Sequence, residues 1–301
     1  MKNNGNKTFV AYMFLLPALV LLAVFTLYPM IKGVILSFYE YNMIRTNDMG
    51  LPVPPVYVGI ENYRAIFSDP LFFMALKNSI LYLLIVPAIQ IGALVIAVLL
   101  NRKAVGVYFM RTAMYLPVIT SIVIVGIAWK WIFVSDGLLN FILVEKLHLL
   151  PERIGWLTDR RIALFSVMFV TLWQGLGYYM LLYLSGLQAI SPEHVDAAYI
   201  DGANPWQIFT KITIPLIKPT MMLCFVISCL GALKVFGEIY VMTGGGPENS
   251  TLTMVYYIFI KGFNDFRMGY ASALGVVFAF VLGFISYLNV KLFKEGGLQY
   301  Y

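Results

Sequence analysis

Long stretches without a charged residue dominate this chain. Five of them approach or exceed the about 20 apolar residues that an α-helix needs to cross a bilayer. They lie at Phe9–Ile31, Asn78–Leu100, Thr112–Trp129, Ile162–Ile190 and Met268–Val290. Because the bilayer core offers backbone groups no partner, a run of this length must satisfy its own hydrogen bonds as a helix. The sequence therefore predicts an all-α membrane protein.

A sixth apolar run, Pro219–Leu233, is too short to cross by itself. It reaches spanning length only if the helix continues past Lys234 to about Val241. We predict that it does, because six spans place both chain termini on the same side. The stretch Leu252–Ile260 is too brief to cross and is predicted to lie at the membrane interface.

Composition supports this class. Only 12% of the 301 residues are charged, against about 25% in soluble domains, and the mean hydropathy is +0.81. The net charge of +6 indicates contact with anionic lipid headgroups rather than with nucleic acid. Lys2 and Lys7 precede the first run, but that run is longer than the apolar region of a signal peptide, so we predict a retained first span.

Basic residues in short loops indicate the orientation. The loop from Arg102 to Arg111 carries a third basic residue, Lys103, and no acidic one, so it is predicted to be cytoplasmic. Both termini and the loop before the fifth run then share that side. Trp129 and Trp131 are placed at the outer interface. The other basic residues assigned to the cytoplasmic side are Lys2, Lys7, Lys211, Lys218, Lys291 and Lys294.

A polar segment, Ser191–Pro219, separates the fourth and fifth apolar runs. Ser191 is a good N-cap, since its hydroxyl can accept from an unpaired backbone amide. Pro192 follows at the first helical position, where a missing donor costs nothing. Gly202 is predicted to end this helix, because glycine adopts the left-handed conformation without a steric penalty.

A second helix is predicted to begin at Asn204-Pro205. Gln207, three residues after Asn204, completes the pattern of a capping box. Pro215 is predicted to stop this helix, and Pro219 to open the next apolar run. The segment is thus interpreted as helix, glycine hinge, helix and stop.

The same segment resembles the EAA loop of binding-protein-dependent ABC importers, and more narrowly the sugar-importer permeases of the maltose type. The match begins with the triplet Asp196-Ala197-Ala198, in which Asp196 stands where the family usually has Glu. The other matching positions are Asp201-Gly202-Ala203, Phe209, Ile212, Pro215 and Pro219. In that family the loop forms a pair of coupling helices in a cleft of the ATPase. The resemblance therefore implies ATPase coupling for Asp196, Ala197, Ala198, Asp201, Gly202, Ala203 and Phe209.

Two further segments carry the resemblance. Val58–Tyr63 is similar to the G-x-x-N-Y segment after the first span, and Thr243–Pro247 to the T-x-G-G-P turn after the fifth. Their order around the EAA-like loop places the chain on the maltose-permease F-type branch. The resemblance extends from about Ala11 to Leu292.

The resemblance implies the type I ABC importer fold: one permease domain over residues 1–301, with six transmembrane helices and a cytoplasmic coupling loop, residues 191–219, between helices 4 and 5. It further implies a second homologous permease subunit, two ATP-binding subunits, an extracytoplasmic solute-binding protein and a carbohydrate substrate. ATP and Mg would be bound by the partner ATPase subunits, and no cofactor by this chain. The expected location is the cytoplasmic membrane of a prokaryote, with both termini cytoplasmic.

No catalytic motif accompanies these features. The sequence contains neither the G-x-x-x-x-G-K-[ST] pattern of a P-loop nor H-E-x-x-H, so a P-loop ATPase and a zincin metalloprotease are excluded. His194 is interpreted as a solvated surface residue. The chain is predicted to be a transporter subunit rather than an enzyme.

Polar residues within the fourth and fifth runs are candidates for a substrate cavity. Gln174, Gly175 and Tyr178 lie in the fourth run, and Ser228 lies in the fifth. Amides and hydroxyls suit the hydroxyl groups of a sugar, and aromatic faces suit its C–H face. Helix packing is the alternative interpretation of these residues.

Lys234 and Glu238 are predicted to share one face of the fifth helix, four residues apart. Ionisable side chains within a membrane indicate a functional site, here the translocation path or its outer gate. The alternative is a self-neutralising pair that only stabilises the helix. The same pair supports a second functional class, a proton-coupled secondary transporter.

Overall fold

The computed structural model describes residues 4–46, 51, 53–102 and 104–295, and its side chains from Tyr12 to Lys291 with the same gaps. Lys2 and Lys103, both used to predict the orientation, lie outside the described residues. The side chains of Lys7 and Lys294 do so too.

α-Helices make up most of the described chain. In chain order they are α1 (Asn4–Leu22), α2 (Tyr28–Leu36), α3 (Glu61–Phe67), α4 (Pro70–Leu81), α5 (Ile85–Leu100), α6 (Val107–Ile119), α7 (Ile122–Phe133), α8 (Leu138–Asn140), α9 (Ala163–Gln188), α10 (Pro192–Ile200), α11 (Pro205–Ile208), α12 (Ile214–Leu233), α13 (Gly237–Met242), α14 (Met254–Phe259) and α15 (Met268–Glu295).

Short irregular helices connect several of these elements. π-Helical turns lie at Ala23–Leu27, Phe141–Lys146, Phe209–Thr213 and Ile260–Asn264, and a 3₁₀ turn lies at Tyr82–Leu84. Two short antiparallel strands, β1 (Tyr39–Glu40) and β2 (Val56–Tyr57), pair with Tyr39 opposite Tyr57.

Five helical segments of the described chain are long and apolar enough to cross a membrane, and a bent pair makes a sixth. The six-span prediction is confirmed in this form. The segments are Tyr12–Leu36, Pro70–Leu100, the pair Val107–Ile119 and Ile122–Phe133, Ala163–Gln188, Pro205–Met242 and Met268–Lys291.

The third span is broken, so the prediction of one continuous helix over Thr112–Trp129 is wrong. α6 and α7 meet at an angle of 98°. Thr120 and Ser121 are both extended there, with ψ near 136° and 134°, which ends the helical hydrogen-bond ladder. The Thr120 hydroxyl donates to the carbonyl of Leu116 at 2.9 Å and so satisfies one of the carbonyls that the break leaves unpaired.

The prediction that Pro215 stops the second loop helix is also wrong. Helix runs from α11 through a π turn into α12, and Pro219 lies inside α12. In the π turn the Ile214 amide donates to the carbonyl of Phe209, five residues back. Because Pro215 follows this wider turn near the start of α12, its missing amide proton interrupts no regular α-helical ladder.

The fifth span continues past Lys234, as predicted, but with a break. α12 ends at Leu233 and α13 begins at Gly237. Lys234 and Glu238 therefore do not lie on one continuous helix, and the predicted shared face is wrong.

The chain divides into two compact units. The first comprises the chain up to Asp69 and the segment Ile258–Phe280. Its loop after α2 is held by Asn62, whose amide donates to the carbonyls of Ser37 at 2.9 Å and Tyr39 at 3.0 Å. Gly269 packs so closely that a Cβ there would overlap the carbonyl oxygen of Tyr39. The resembled G-x-x-N-Y segment thus has a structural role in this unit.

The second unit comprises Pro70–Tyr257 and the chain from Val281. Its core packs α9 against α5, α6 and α12, and α7 against α13. Gly177 allows the contact of α9 with α6, since a Cβ there would overlap the carbonyl oxygen of Met114. In the stretch Leu252–Ile260 the short helix α14 is followed by the first residue of a π turn, and Met254 and Tyr257 are buried. Its position at the membrane interface stays a prediction.

Candidate functional site: a helix-lined cavity and a capped loop

A cavity of about 260 Å³ lies among α5, α6, α9, α12 and α13 of the second unit. Five of the six side chains and glycines predicted for a substrate cavity line it: Gln174, Gly175, Tyr178, Ser228 and Glu238. Its other lining residues are Ile85, Ile89, Val118, Thr171, Tyr179, Gly231 and Ala232.

Lys234 is the predicted cavity residue that the structure places elsewhere. It is exposed at the break between α12 and α13 and does not line the cavity. Among the ion pairs of the described residues, none joins Lys234 to Glu238. The helix break separates the two groups that a continuous helix would have brought onto one face.

Gln174 connects the cavity to the broken third span. Its side-chain amide donates to the carbonyl of Pro117 at 2.9 Å, another carbonyl near the end of α6 that the break leaves without a helical partner. Gly175 faces Ile89 so closely that a Cβ would lie 3.2 Å from its Cδ1 atom. The Tyr178 side chain remains 39% exposed, so its ring is accessible to a ligand.

The Ser228 side of the cavity is held by a buried polar chain. The hydroxyl of Tyr183 donates to Gln90 Oε1 at 2.6 Å. Gln90 Nε2 in turn donates to Ser228 Oγ at 2.8 Å. Sequence reasoning missed Gln90 and Tyr183, although an amide inside an otherwise apolar run is a signal that could have found Gln90.

The Glu238 side carries a second, partly buried chain of hydrogen bonds. Thr171 Oγ1 lies 3.2 Å from Glu238 Oε1, and the hydroxyl of the fully buried Tyr82 lies 2.6 Å from Thr171 Oγ1. The Thr171 hydroxyl donates to Glu238, and a hydroxyl has one proton to give, so Tyr82 donates to Thr171. Thr171 and Tyr82 were also missed, because nothing in their local sequence distinguishes them from packing residues.

The polar loop forms the first predicted helix with the predicted caps. Ser191 is extended and its hydroxyl accepts from the Glu193 amide at 3.4 Å. At the other end Gly202 is left-handed, with φ +79°. Its amide donates to Tyr199, and the amide of Ala203 donates to Ala198 five residues back. This pair of bonds is a Schellman motif.

The second loop helix, α11, begins with the predicted capping box. The Asn204 side chain accepts from the Gln207 amide, and the Gln207 side chain accepts from the Asn204 amide, both at 2.9 Å. Local hydrogen bonds therefore define both helices of the loop and the turn between them.

The loop exposes both charge and apolar surface. Asp196, Ala197, Asp201 and Gly202 are exposed, Ala203 and Phe209 are half-buried, and Ala198 is buried. Among the ion pairs of the described residues, none uses Asp196 or Asp201. Large apolar side chains lie beside them, with Ile200 86% and Trp206 70% exposed. Such a surface is typical of a protein interaction site.

In the part of the chain that the structure describes, no group of three or more His, Cys, Asp and Glu side chains could hold a metal ion.

Residues 91–295 match the family described as binding-protein-dependent transport system inner membrane component. The chain is 35% identical over 297 residues to the probable ABC transporter permease protein YurN of Bacillus subtilis (strain 168), covering 97% of this chain and 98% of that relative. It is 33% identical to the lactose transport system permease protein LacF of Rhizobium radiobacter, over 94% of each chain. It is 32% identical to the arabinooligosaccharides transport system permease protein AraP of Bacillus subtilis (strain 168), over 95% and 89%.

Solved structures share the fold. A bacterial ABC transporter involved in the import of the acidic polysaccharide alginate superimposes with a TM-score of 0.79 at 24% identity, over 96% of both chains. The alginate ABC transporter in complex with its alginate pentasaccharide-bound periplasmic protein gives a TM-score of 0.78 at 25% identity, over 94% of this chain and 93% of that chain.

Proposed function

Because this chain belongs to the family of binding-protein-dependent transport system inner membrane components, we propose that it is the permease subunit of an ATP-driven importer that carries a carbohydrate across the cytoplasmic membrane. One observation carries the proposal. The exposed loop helix α11 continues through a π turn into α12, and α12 contributes Ser228, Gly231 and Ala232 to the cavity. A displacement of the loop therefore moves a wall of the cavity directly.

The capped loop is the part that would receive the force. Its two helices and the turn at Gly202 are fixed by local hydrogen bonds, so the loop moves as a unit. We assign the exposed Asp196 to pairing with a basic group of an ATP-binding subunit. Ile200 and Trp206, exposed on the same loop, would fill an apolar cleft of that subunit. Closure of the ATP-binding subunits would then push this loop and open the cavity by rigid-body motion.

The cavity suits a sugar. It presents an amide, hydroxyls, a carboxylate and the exposed face of Tyr178, the groups that hydrogen-bond hydroxyls and stack on a C–H face. Relatives named for lactose and arabinooligosaccharide transport support a carbohydrate, in particular an oligosaccharide or glycoside. At about 260 Å³ the cavity lies just below the roughly 300–1,000 Å³ of complete ligand sites. A second permease subunit is proposed to supply the remaining wall.

The complete importer would contain two homologous permeases, two ATP-binding subunits that hold ATP and Mg, and an extracytoplasmic binding protein that delivers the sugar. A structural relative bound to its periplasmic protein supports the last of these. We propose that both termini and the loop α10–α11 lie in the cytoplasm. Basic residues that flank the loop, Lys211 and Lys218, agree with that side.

Affinity purification of this chain from its native membrane in mild detergent tests the assembly. We expect a P-loop ATPase and a second permease with an EAA-like loop to co-purify. Recovery of the chain alone or as a homodimer would favour a secondary transporter instead. The binding protein captured in the same experiment would identify the class of sugar.

A further inference from the structure

A second pocket, of about 360 Å³, lies in the second unit and shares no lining residue with the cavity. Besides the indole N–H groups of Trp129 and Trp156, its polar side-chain group is the Ser166 hydroxyl, which donates to the carbonyl of Ile162 at 3.3 Å. The Trp156 indole is likewise engaged, with Asn140, so the lining is mostly hydrocarbon. Its lining residues are Trp129, Phe133, Leu139, Leu143, Trp156, Ile162, Phe165, Ser166 and Phe169.

Aromatic rings form its walls. The ring centre of Trp129 lies 5.3 Å from those of Phe133 and Phe169, and Phe133 lies 6.1 Å from Trp156. An engineered apolar cavity of about 150 Å³ excludes water and binds benzene. A pocket more than twice that size, bounded by rings, has room for an extended hydrocarbon chain.

A buried asparagine holds the pocket in shape. Asn140 is fully buried, and its amide donates to the carbonyls of Ser135 at 3.0 Å and Ile154 at 2.8 Å. Its oxygen accepts from the Ile154 amide at 3.1 Å and from the indole of Trp156 at 3.0 Å. Every hydrogen-bonding group of this side chain is engaged, so the Trp156 wall is fixed before any ligand binds.

The surroundings match the edge of a bilayer. Phe165 and Phe169 are 52% and 48% exposed, and Trp131 is 72% exposed, which is unfavourable in water but favourable against lipid tails. The polar segment between α7 and α9 marks the point where the chain leaves the apolar layer.

Two basic residues are sequence neighbours of residues that line the pocket. Lys130 directly follows Trp129, and Arg161 directly precedes Ile162; both are exposed. Among the ion pairs of the described residues neither has a carboxylate partner. By contrast, Arg160 pairs with Glu248 at 3.1 Å.

We propose that this pocket is a binding site for an anionic phospholipid. One acyl chain fills the aromatic pocket, and Lys130 and Arg161 hold the phosphate. Charge complementarity selects this occupant over an apolar side chain of a partner protein, which would leave both cations unused. At about 1 kcal/mol for each cation roughly 4 Å from a phosphate charge in water, the two together correspond to about a thirtyfold preference for anionic lipid.

The test uses the complex purified from its native membrane and placed in nanodiscs of neutral lipid. A trace of phosphatidylglycerol with a photoactivatable diazirine in its acyl chain is added, and cross-linked peptides are identified by mass spectrometry. We expect cross-links concentrated on Leu139–Leu143 and Ile162–Phe169. The double variant Lys130→Gln, Arg161→Gln should lose about thirtyfold of this labelling. Arg64→Gln, which removes one exposed charge in the other unit, should keep it.

A pair of leucine variants separates the pocket from general contact with lipid. Leu143→Trp places a large ring in the pocket and should abolish the labelling. Leu147→Trp adds the same ring at a residue that is 56% exposed outside the lining and should leave it unchanged. Labelling that is equal with phosphatidylcholine, or that survives loss of both cations, would overturn the proposal. Co-purification of the partner chains shows that each variant is folded, and the charge variants decide the matter if Leu143→Trp does not assemble.

Discussion

Replacing Gly202 by alanine tests whether the shape of the loop controls coupling. Gly202 has φ +79°, and nothing lies within 4 Å of a Cβ built there. Alanine therefore meets no neighbour, and its whole effect comes from the left-handed backbone. That conformation costs an L-residue about 1–2 kcal/mol, whereas asparagine adopts it more readily.

The lower end of that range, about 1 kcal/mol, corresponds to about a fivefold shift in an equilibrium. The strain falls on the two Schellman bonds, from Gly202 to Tyr199 and from Ala203 to Ala198, which set the angle between α10 and α11. In a smaller fraction of the molecules the loop then has the shape that the ATP-binding subunit recognises.

The assay is a titration of the reconstituted permease pair with its ATP-binding subunit, read as substrate-stimulated ATPase activity. Gly202→Ala should raise the half-saturating concentration about fivefold, and Gly202→Asn should stay near the wild type. Gly33→Ala is a matched control, since Gly33 also has open space around its Cβ but no positive φ. If Gly202→Ala titrates like the wild type, or if asparagine is as harmful as alanine, the reasoning fails.

Three further predictions follow from single contacts. Gly177→Ala should lower the thermal midpoint of the complex markedly, because its Cβ would overlap the Met114 carbonyl oxygen, whereas Gly283→Ala, with open space around it, should leave the midpoint unchanged in the same scan. Asn140→Ala leaves buried peptide groups unpaired at about 1–3 kcal/mol each and should lower the midpoint, whereas Asn101→Ala, at an exposed asparagine, should leave it unchanged. Equal midpoints for those two variants would contradict the network. Asp196→Ala should reduce stimulated ATPase activity about tenfold or disassemble the complex, on the scale of a charge-assisted hydrogen bond; an Asp196→Ala complex that keeps both properties would refute the coupling role.

The loop was predictable from sequence because its chemistry is local. Ser191, Asn204 and Gly202 each act on amides or carbonyls within a few residues, and all three caps occur as predicted. Pro215 was wrongly predicted to end the helix, because no residue type in the segment before it indicates the π turn that accommodates this proline.

The bend of the third span required tertiary information. Its sequence is continuously apolar, and Pro117 lies before the break rather than at it. The carbonyls that the bend exposes are paired by Thr120 and, across the bundle, by Gln174. A helix that depends on a partner from another helix cannot be recognised from its own residues.

The cavity was only partly predictable, because some of its residues are recognisable from their own sequence and others only from contacts between helices. Polar residues in apolar runs located Gln174, Tyr178 and Ser228, which do line the cavity. Their supporting residues were missed because the hydrogen bonds join distant positions, as from Tyr183 to Gln90. Lys234 and Glu238 were paired by helical periodicity, and the break after α12 removed the basis of that inference.

Uptake into proteoliposomes tests the central claim most directly. The vesicles contain the purified complex, the binding protein is added outside, and a radiolabelled oligosaccharide bound by that protein is the substrate. We expect uptake that requires ATP enclosed in the vesicles, persists with a protonophore and is lost in Asp196→Ala. Uptake without ATP that collapses with the protonophore would contradict it and would show a proton-coupled transporter.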